Sequence, residues 1–141
     1  NSRLDTLQAA ILNSKLSTIL TLNNKRRKAC ELYDKNLRKI NKIKITKTNF
    51  GSSRHLYVIR IPNRDKLKKY LDSKKIFCQI HYPYSLNNLK PFAKKIKKNK
   101  DLKKSQLWSK ECLSLPLYPG IKKKDLYRVI SEINKFFNQH R

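Results

Sequence analysis

The spacing of the apolar residues changes twice along the chain, and this change constrains the fold more than any other feature. Residues 4–19 place apolar side chains at helical spacing, and a second helical stretch continues to about residue 40. Residues 126–137 return to that spacing with one wide apolar face. Between them, alternating apolar side chains typical of strands occupy residues 57–61, 76–80 and 113–117. This order predicts an α+β fold: a long N-terminal helix or helix pair, a small sheet of about three strands covered by helices, and a C-terminal amphipathic helix.

Short polar signals predict where the helices begin. Ser2 followed by Asp5 is typical of a capping box at the start of the first helix. Asn23-Asn24 leaves open whether that segment is one helix or two. Asn63 and Ser105 are predicted to cap two shorter helices, because their side chains can accept hydrogen bonds from first-turn amides.

The length of 141 residues suits one compact domain. We expect a helical entry segment at 1–40 and an α+β layer at 50–141, with room for a linker only near residues 41–54. Pro119-Gly120 predicts a turn, and Pro116 predicts an edge position or a bulge in the third strand. Because the chain contains no methionine and opens inside a structured element, we expect it to be part of a longer protein.

The formal net charge of +26 has two interpretations. Such a charge attracts phosphate polyanions, so a free-standing Lys-rich nucleic-acid-binding domain is one hypothesis. However, lysine (26 residues) far exceeds arginine (9 residues) and is spread along the whole chain, and asparagine and isoleucine are also abundant. All three have A/T-rich codons, which favours a genomic bias and only non-specific electrostatic binding of nucleic acid. Residues 94–104 carry seven lysines and are expected to form a solvated surface loop.

The cysteines and the hydropathy pattern indicate a cytoplasmic protein. The cysteines are odd in number, form no C-x-x-C pair and sit at apolar positions, so we expect buried free thiols in a reducing compartment. The three histidines are too scattered to form a metal site with them. No apolar run is long enough to span a bilayer. The cysteines are Cys30, Cys78 and Cys112.

The residues alone offer no complete catalytic set. Two glycines cannot build a phosphate-binding loop, and no pair of the nine acids is spaced as an acid/base couple. One segment is informative: Ile80-His81-Tyr82-Pro83 places an imidazole and a phenol where a strand meets a loop. Both groups can hydrogen-bond a phosphate or a sugar hydroxyl. The alternative is a histidine that closes the strand and a tyrosine ring packed beneath the loop.

Four stretches carry a resemblance to a known family. The chain opens with N-S-R-L-D-T-L-Q-A-A (residues 1–10) and continues with Y-V-I-R (57–60), I-H-Y-P (80–83) and C-L-S-L-P-L-Y-P (112–119). In order and spacing they resemble the DegT/DnrJ/StrS nucleotide-sugar aminotransferases over essentially the whole chain. After the H-Y-P, many relatives read x-P-L-H-x-Q, whereas S-L-N-N-L (85–89) keeps only the leucine. This departure puts the identity of the sugar in doubt.

The resemblance implies a fold-type I aminotransferase, usually a homodimer with active sites at the subunit interface. In that family a large domain binds pyridoxal 5'-phosphate (PLP) through a Schiff-base lysine, and the cofactor acts as electron sink. An amino group, commonly from glutamate, passes to a keto-sugar carried on a nucleotide diphosphate, in the biosynthesis of surface polysaccharide or glycan. This chain corresponds to the C-terminal small domain, without the lysine, so we expect it to be inactive alone. A degenerate relative that keeps only the dimerising surface is a further hypothesis.

The resemblance also implies roles for four residues. Asn1 matches an asparagine that hydrogen-bonds the cofactor phosphate in the neighbouring subunit's site. Arg3 matches an arginine near the substrate diphosphate, and its structural alternative is a salt bridge at the helix end. His81 and Tyr82 match residues that contact the nucleotide diphosphate across the dimer interface in some relatives. The opening segment most resembles members that act on UDP-linked sugars.

Overall fold

The α+β fold is confirmed by a computed structural model, which describes residues 3–46, 51–93 and 102–139. A three-stranded antiparallel sheet of order β1-β2-β3 is covered by helices. In chain order the elements are α1 (Thr6–Leu37), β1 (Lys44–Ile45), β2 (Tyr57–Arg60), α2 (Arg64–Ser73), a 3₁₀ turn (Leu86–Asn88), α3 (Lys90–Ala93), α4 (Lys103–Glu111), β3 (Cys112–Leu115) and α5 (Lys123–Gln139).

The N-terminal segment forms one continuous helix of 32 residues, which settles the choice between one helix and two. Asp5 is its N-cap, and the carboxylate accepts a hydrogen bond from the Gln8 amide at 2.8 Å. Ser2, the predicted cap, lies outside the described residues, and the structure gives the N-cap position to Asp5 instead. Asn23 does not interrupt the helix, because its side-chain oxygen accepts a hydrogen bond from Arg26 (3.1 Å).

The sheet has the predicted number of strands, but one of them differs from the prediction. The segment 76–80 makes only an isolated bridge, in which Gln79 and Ser114 exchange hydrogen bonds of 3.1 and 2.8 Å. The Ile76 amide instead bonds the Leu71 carbonyl at the end of α2 (2.9 Å), which turns the start of this segment away from the ladder. The third strand is β1, whose Ile45 pairs with Ile59 of β2. Part of the proposed linker, residues 41–54, thus belongs to the sheet.

All four residues of strand β3 are buried. It pairs with β2 along one side, Ile59 opposite Leu113, and with Gln79 on the other. The predicted edge position is confirmed, because β3 is an outer strand in the order β1-β2-β3 and only the isolated Gln79 bridge lies beyond it. Pro116, which has no amide to donate, directly follows the strand. Its carbonyl accepts a hydrogen bond from the buried Tyr33 hydroxyl (3.0 Å), which ties α1 to the end of β3.

Three further local predictions had mixed outcomes. Asn63 is the N-cap residue of α2, as predicted, but it adopts a left-handed conformation (φ 56°) and its side chain makes no capping hydrogen bond, so the predicted contact was wrong. Ser105 was also wrong as a cap, because α4 already begins at Lys103. The Pro119-Gly120 turn is confirmed, with Gly120 at φ 91°, a conformation that favours glycine. Of the Lys-rich segment, residues 94–101 lie outside the described residues.

The core joins the last third of α1, the sheet and the predicted apolar face of α5, which is confirmed. The three cysteines are buried and free, as predicted. Within the described ranges, no helix combines the length and hydropathy needed to cross a bilayer. The face of α5 consists of Leu126, Val129, Ile130, Ile133 and Phe136, with Phe137 at its border.

The first two thirds of α1 do not contribute to this core. Residues 3–24 contain only Arg3, Asp5 and Lys15 as charged groups, a net charge of +1 in a chain of +26. Seven large apolar side chains of this stretch are 46–75% exposed, although they follow helical spacing. They form what we call the α1 apolar face: Leu4, Leu7, Ile11, Leu12, Leu16, Ile19 and Leu20.

Candidate functional site

A cleft of about 550 Å³ opens between the loop that follows the Gln79 bridge and helix α4. The predicted site residues His81 and Tyr82 both line it, so the structure brings these two together. The lining also supplies two more aromatic rings and three serines, which the sequence analysis did not identify as site residues. These additional residues are Tyr84, Trp108, Ser85, Ser105 and Ser109.

His81 is held by a partner that lies distant in sequence. Its Nδ1 is 2.9 Å from the hydroxyl of Ser114, which is buried in β3. A hydroxyl can donate or accept, so the contact suits either neutral tautomer of the ring. The Gln79 bridge to Ser114 holds the two segments of the chain together at this point. In the described part of the chain Nε2 has no hydrogen-bond partner, and this nitrogen remains available to a ligand.

Tyr82 presents its phenol to solvent. The residue is 72% exposed, so the alternative of a ring packed beneath the loop is wrong. Its ring meets the His81 ring edge to face at 5.6 Å, and the peptide bond between the two residues is cis. The Tyr82 carbonyl accepts a hydrogen bond from Cys112 Sγ (3.8 Å). Burial raises the pKa of the Cys112 thiol, which keeps the proton needed for that contact.

The opposite wall of the cleft is anchored to the sheet by two arginines. Arg60 pairs with Glu111 at 2.8 Å, and its guanidinium lies 5.5 Å from the centre of the Trp108 ring. The buried Arg64 donates to the carbonyls of Ser109 (3.2 Å) and Cys112 (3.0 Å), which terminate α4. These bonds fix the position of Trp108 relative to the His81 loop.

The side chains present in and around the cleft limit its chemistry. None of its lining residues is a lysine or a carboxylic acid, so the lining offers neither an amine nucleophile nor a carboxylate base. The Ser85 hydroxyl is buried and has no hydrogen-bond partner among the described residues. No group of histidines, cysteines and acids within the described residues could hold a metal ion. The arrangement is therefore suited to binding rather than to a complete reaction.

Of the two predicted N-terminal site residues, the structure describes only Arg3, which does not line this cleft. Asn1 lies outside the described residues, and Arg3 is exposed, with neither a salt bridge nor a contact to His81 in the described ranges. From Thr6 to Tyr33 the helix rises roughly 40 Å. Tyr33 contacts Pro116, two residues beyond the partner of His81, so the start of α1 lies at least about 20 Å from His81.

Comparison with known sequences identifies the family of the chain. A profile of the DegT/DnrJ/EryC1/StrS aminotransferase family matches residues 1–134. A pleiotropic regulatory protein of Geobacillus stearothermophilus is 32% identical over 141 residues, which cover 97% of this chain and 38% of that protein. A dTDP-3-amino-3,6-dideoxy-alpha-D-galactopyranose transaminase of Aneurinibacillus thermoaerophilus is 30% identical, over 96% of this chain and 37% of the enzyme.

Comparison with solved structures agrees. The crystal structure of S. venezuelae DesV in complex with a ketimine intermediate superposes with a TM-score of 0.90 and 28% identity, over 96% of this chain and 37% of DesV. The chain therefore spans between a third and two fifths of the length of the relatives it matches.

Proposed function

Because the chain belongs to the DegT/DnrJ/EryC1/StrS aminotransferase family, we propose that it is the C-terminal small domain of a PLP-dependent sugar aminotransferase. The enzyme would transfer an amino group, with glutamate as donor, to a keto-sugar linked to a nucleotide diphosphate. The observation that supports this reading is the pair His81 and Tyr82 at the cleft rim, each with a polar atom free to meet a ligand. The proposed setting is cytoplasmic synthesis of sugars for surface polysaccharide or glycan.

The described residues do not by themselves fit the cofactor. The lining of the His81 cleft contains no lysine that could form a Schiff base and no arginine that could hold a phosphate. When bound, PLP supplies the electron sink for transamination, and we assign its covalent attachment to a lysine outside this chain. Asn1 is proposed to hydrogen-bond the cofactor phosphate from a neighbouring subunit. The chain alone is accordingly proposed to be inactive.

The proposed role of His81 and Tyr82 is to bind the substrate diphosphate. Ser114 orients the imidazole so that Nε2 faces away from the sheet, and the phenol beside it is exposed. Hydrogen bonds to a charged phosphate contribute about 1.5–3 kcal/mol each, enough to decide substrate affinity. Neither group needs to change protonation for this role, and neither is proposed to act on the reacting carbon.

The remainder of the active site is proposed to come from additional polypeptide. Arg3 is proposed to contact the substrate diphosphate from the start of α1, which lies too far from His81 for one chain to join them. The α1 apolar face offers the surface on which that polypeptide would pack, because seven exposed side chains at helical spacing have no partner among the described residues. We propose a homodimer in the complete enzyme.

A chimera tests this function. The matching 37% of the Aneurinibacillus thermoaerophilus transaminase is replaced by residues 1–141, and transamination of its dTDP-linked keto-sugar is measured. We expect a folded, PLP-bound dimer with measurable turnover. Within the chimera, Tyr82→Phe should raise KM for the nucleotide sugar roughly tenfold and change kcat little, because it removes ground-state and transition-state binding equally.

The matched control is Tyr118→Phe, which removes a phenol of comparable exposure (53%) outside the cleft and should leave KM unchanged. A folded, cofactor-bound chimera without transaminase activity would falsify the proposed function. Turnover by the 141-residue chain alone would contradict the assignment of the Schiff-base lysine to another part of the protein.

A further inference from the structure

A second cleft lies beside Gly120, between α1 and the start of α5. It measures about 380 Å³, and every residue that lines it is among those described. Its floor is apolar: Ala29 and Leu126 are buried, and Leu32 and Ile121 are half-buried. We call this cleft the α1–α5 groove.

The rim of the α1–α5 groove is cationic. Lys25, Lys28 and Lys35 follow helical spacing along one face of α1, and Lys123 faces them from the first turn of α5. All four are exposed, and none forms an ion pair with any described residue. One acid, Glu31, also lines the groove. The net charge of the lining is therefore +3, from four lysines and one glutamate.

We propose that the α1–α5 groove binds an acidic, amphipathic helical segment of a partner protein. Apolar side chains on one face of such a helix would cover the floor between Ala29 and Leu126, and its Asp and Glu residues would meet the four lysines. The apolar floor argues against nucleic acid, whose phosphates require cations and hydrogen-bond donors. The absence of arginine from the lining argues in the same direction, because lysine gives no bidentate phosphate contact.

A designed peptide tests the proposal on the 141-residue chain. The probe is a fluorescein-labelled helix of about 18 residues with Leu on one face and Glu elsewhere, the pattern of helix-in-groove ligands. Its control is a peptide of the same composition with the leucines scrambled around the helix. We expect the amphipathic probe to bind at least about tenfold more tightly at physiological salt, since only it can bury its leucines while its acids meet the rim.

Two variants of equal charge distinguish binding in the groove from attraction by the overall positive charge of the protein. Lys28→Glu/Lys123→Glu reverses the rim on both sides and should weaken the probe at least about tenfold, because two attractions become repulsions. Lys66→Glu/Lys69→Glu makes the same change on exposed positions of α2 and should weaken it less than about twofold, because salt screens distant charges. Circular dichroism verifies that both variants fold.

Several results would overturn the proposal. Probe binding would be non-specific electrostatic attraction if the scrambled peptide bound equally well, or if the two variants lost equal affinity. Full displacement of the probe by a short DNA duplex would lead to the same conclusion. A last test measures acetylation of Lys28 and Lys123 in a longer protein that contains this chain, with no partner present. If both lysines are protected from acetylation there, another part of the same polypeptide occupies the groove. None of these outcomes bears on transamination, so the proposed function is tested separately.

Discussion

The hydrogen bond from Tyr33 to Pro116 should contribute measurably to stability, and Tyr33→Phe removes it with little change of shape. The phenol is fully buried and donates to the Pro116 carbonyl at 3.0 Å. Burial raises the pKa of Tyr33, so the hydroxyl keeps its proton and remains a donor in alkaline solution. The bond joins α1 to the residue that ends β3, two positions beyond the partner of His81.

The expected magnitude follows from burial at the two ends of the bond. A neutral hydrogen bond contributes about 0.5–1.5 kcal/mol net, and a buried acceptor left unpaired costs more. Pro116 is only half-buried, so water can reach its carbonyl in the variant and the added cost is small. We therefore expect the free energy of unfolding to fall by about 1 kcal/mol, and the melting temperature by about 3–5 °C for a chain of this size.

The assay is urea unfolding followed by the fluorescence of Trp108, the one tryptophan of the chain, and by circular dichroism. Tyr127→Phe is the matched control, because its phenol is exposed and should change stability by less than about 0.5 kcal/mol. A Tyr33→Phe variant as stable as the Tyr127→Phe control would refute the reasoning. A loss above about 3 kcal/mol would also refute it, since one neutral hydrogen bond cannot account for that much.

Three further predictions address the core, the α1 apolar face and the buried thiols. Ile133→Ala should lower the free energy of unfolding by about 3 kcal/mol in the same urea assay, because the side chain is fully buried in α5; a loss below about 1 kcal/mol would contradict this packing. Leu16→Ser should change it by less than about 0.5 kcal/mol, since Leu16 is 60% exposed; a loss like that of Ile133→Ala would mean that the face is covered in the isolated chain. Burial raises the pKa of Cys78 to about 12 from its ordinary value of 9.0, so at pH 8 the native thiol should resist a thiol reagent that reacts after unfolding. Between those two pKa values the native state keeps a proton that the unfolded state releases, so this thiol should lower the free energy of unfolding by about 1.4 kcal/mol per pH unit as pH rises. Between pH 8 and pH 10 the free energy of unfolding of a Cys78→Ala variant should therefore fall less than that of the unchanged chain. An equal fall in the two proteins would contradict a raised pKa of Cys78.

The sequence predicted those elements whose pattern is local and repeated. Helix α5 was predicted correctly because its apolar residues recur over three turns on one face. The segment 76–80 alternates just as β2 does, but alternation does not reveal how many residues find a partner, and only Gln79 does. Strand β1 was missed because two residues carry no periodic signal. The sequence also could not show that the last third of α1 is buried while the rest is exposed, since both parts repeat apolar residues at the same spacing.

The candidate site was predictable only where its residues are adjacent in the chain. His81 and Tyr82 belong to one short motif, and the structure places both on one cleft. Ser114 and Trp108 were missed because they reach the cleft through strand pairing and helix packing, and Ser114 is 33 residues from its partner. No spacing rule links such positions. The roles of Asn1 and Arg3 stay predictions, because they depend on polypeptide that is not in the described structure.

The uneven burial of α1 divides a single helix into two parts with different constraints. From Ala29 onward its side chains are fixed by the core, so a change of volume there is felt by the sheet and by α5. Before Lys25 the backbone is equally helical, but the seven side chains of the α1 apolar face are 46–75% exposed and gain little from the fold of this chain. Their hydrophobic free energy is released only when another surface covers them. Amino-acid replacements in the first part should therefore alter assembly while leaving the melting of the sheet domain unchanged.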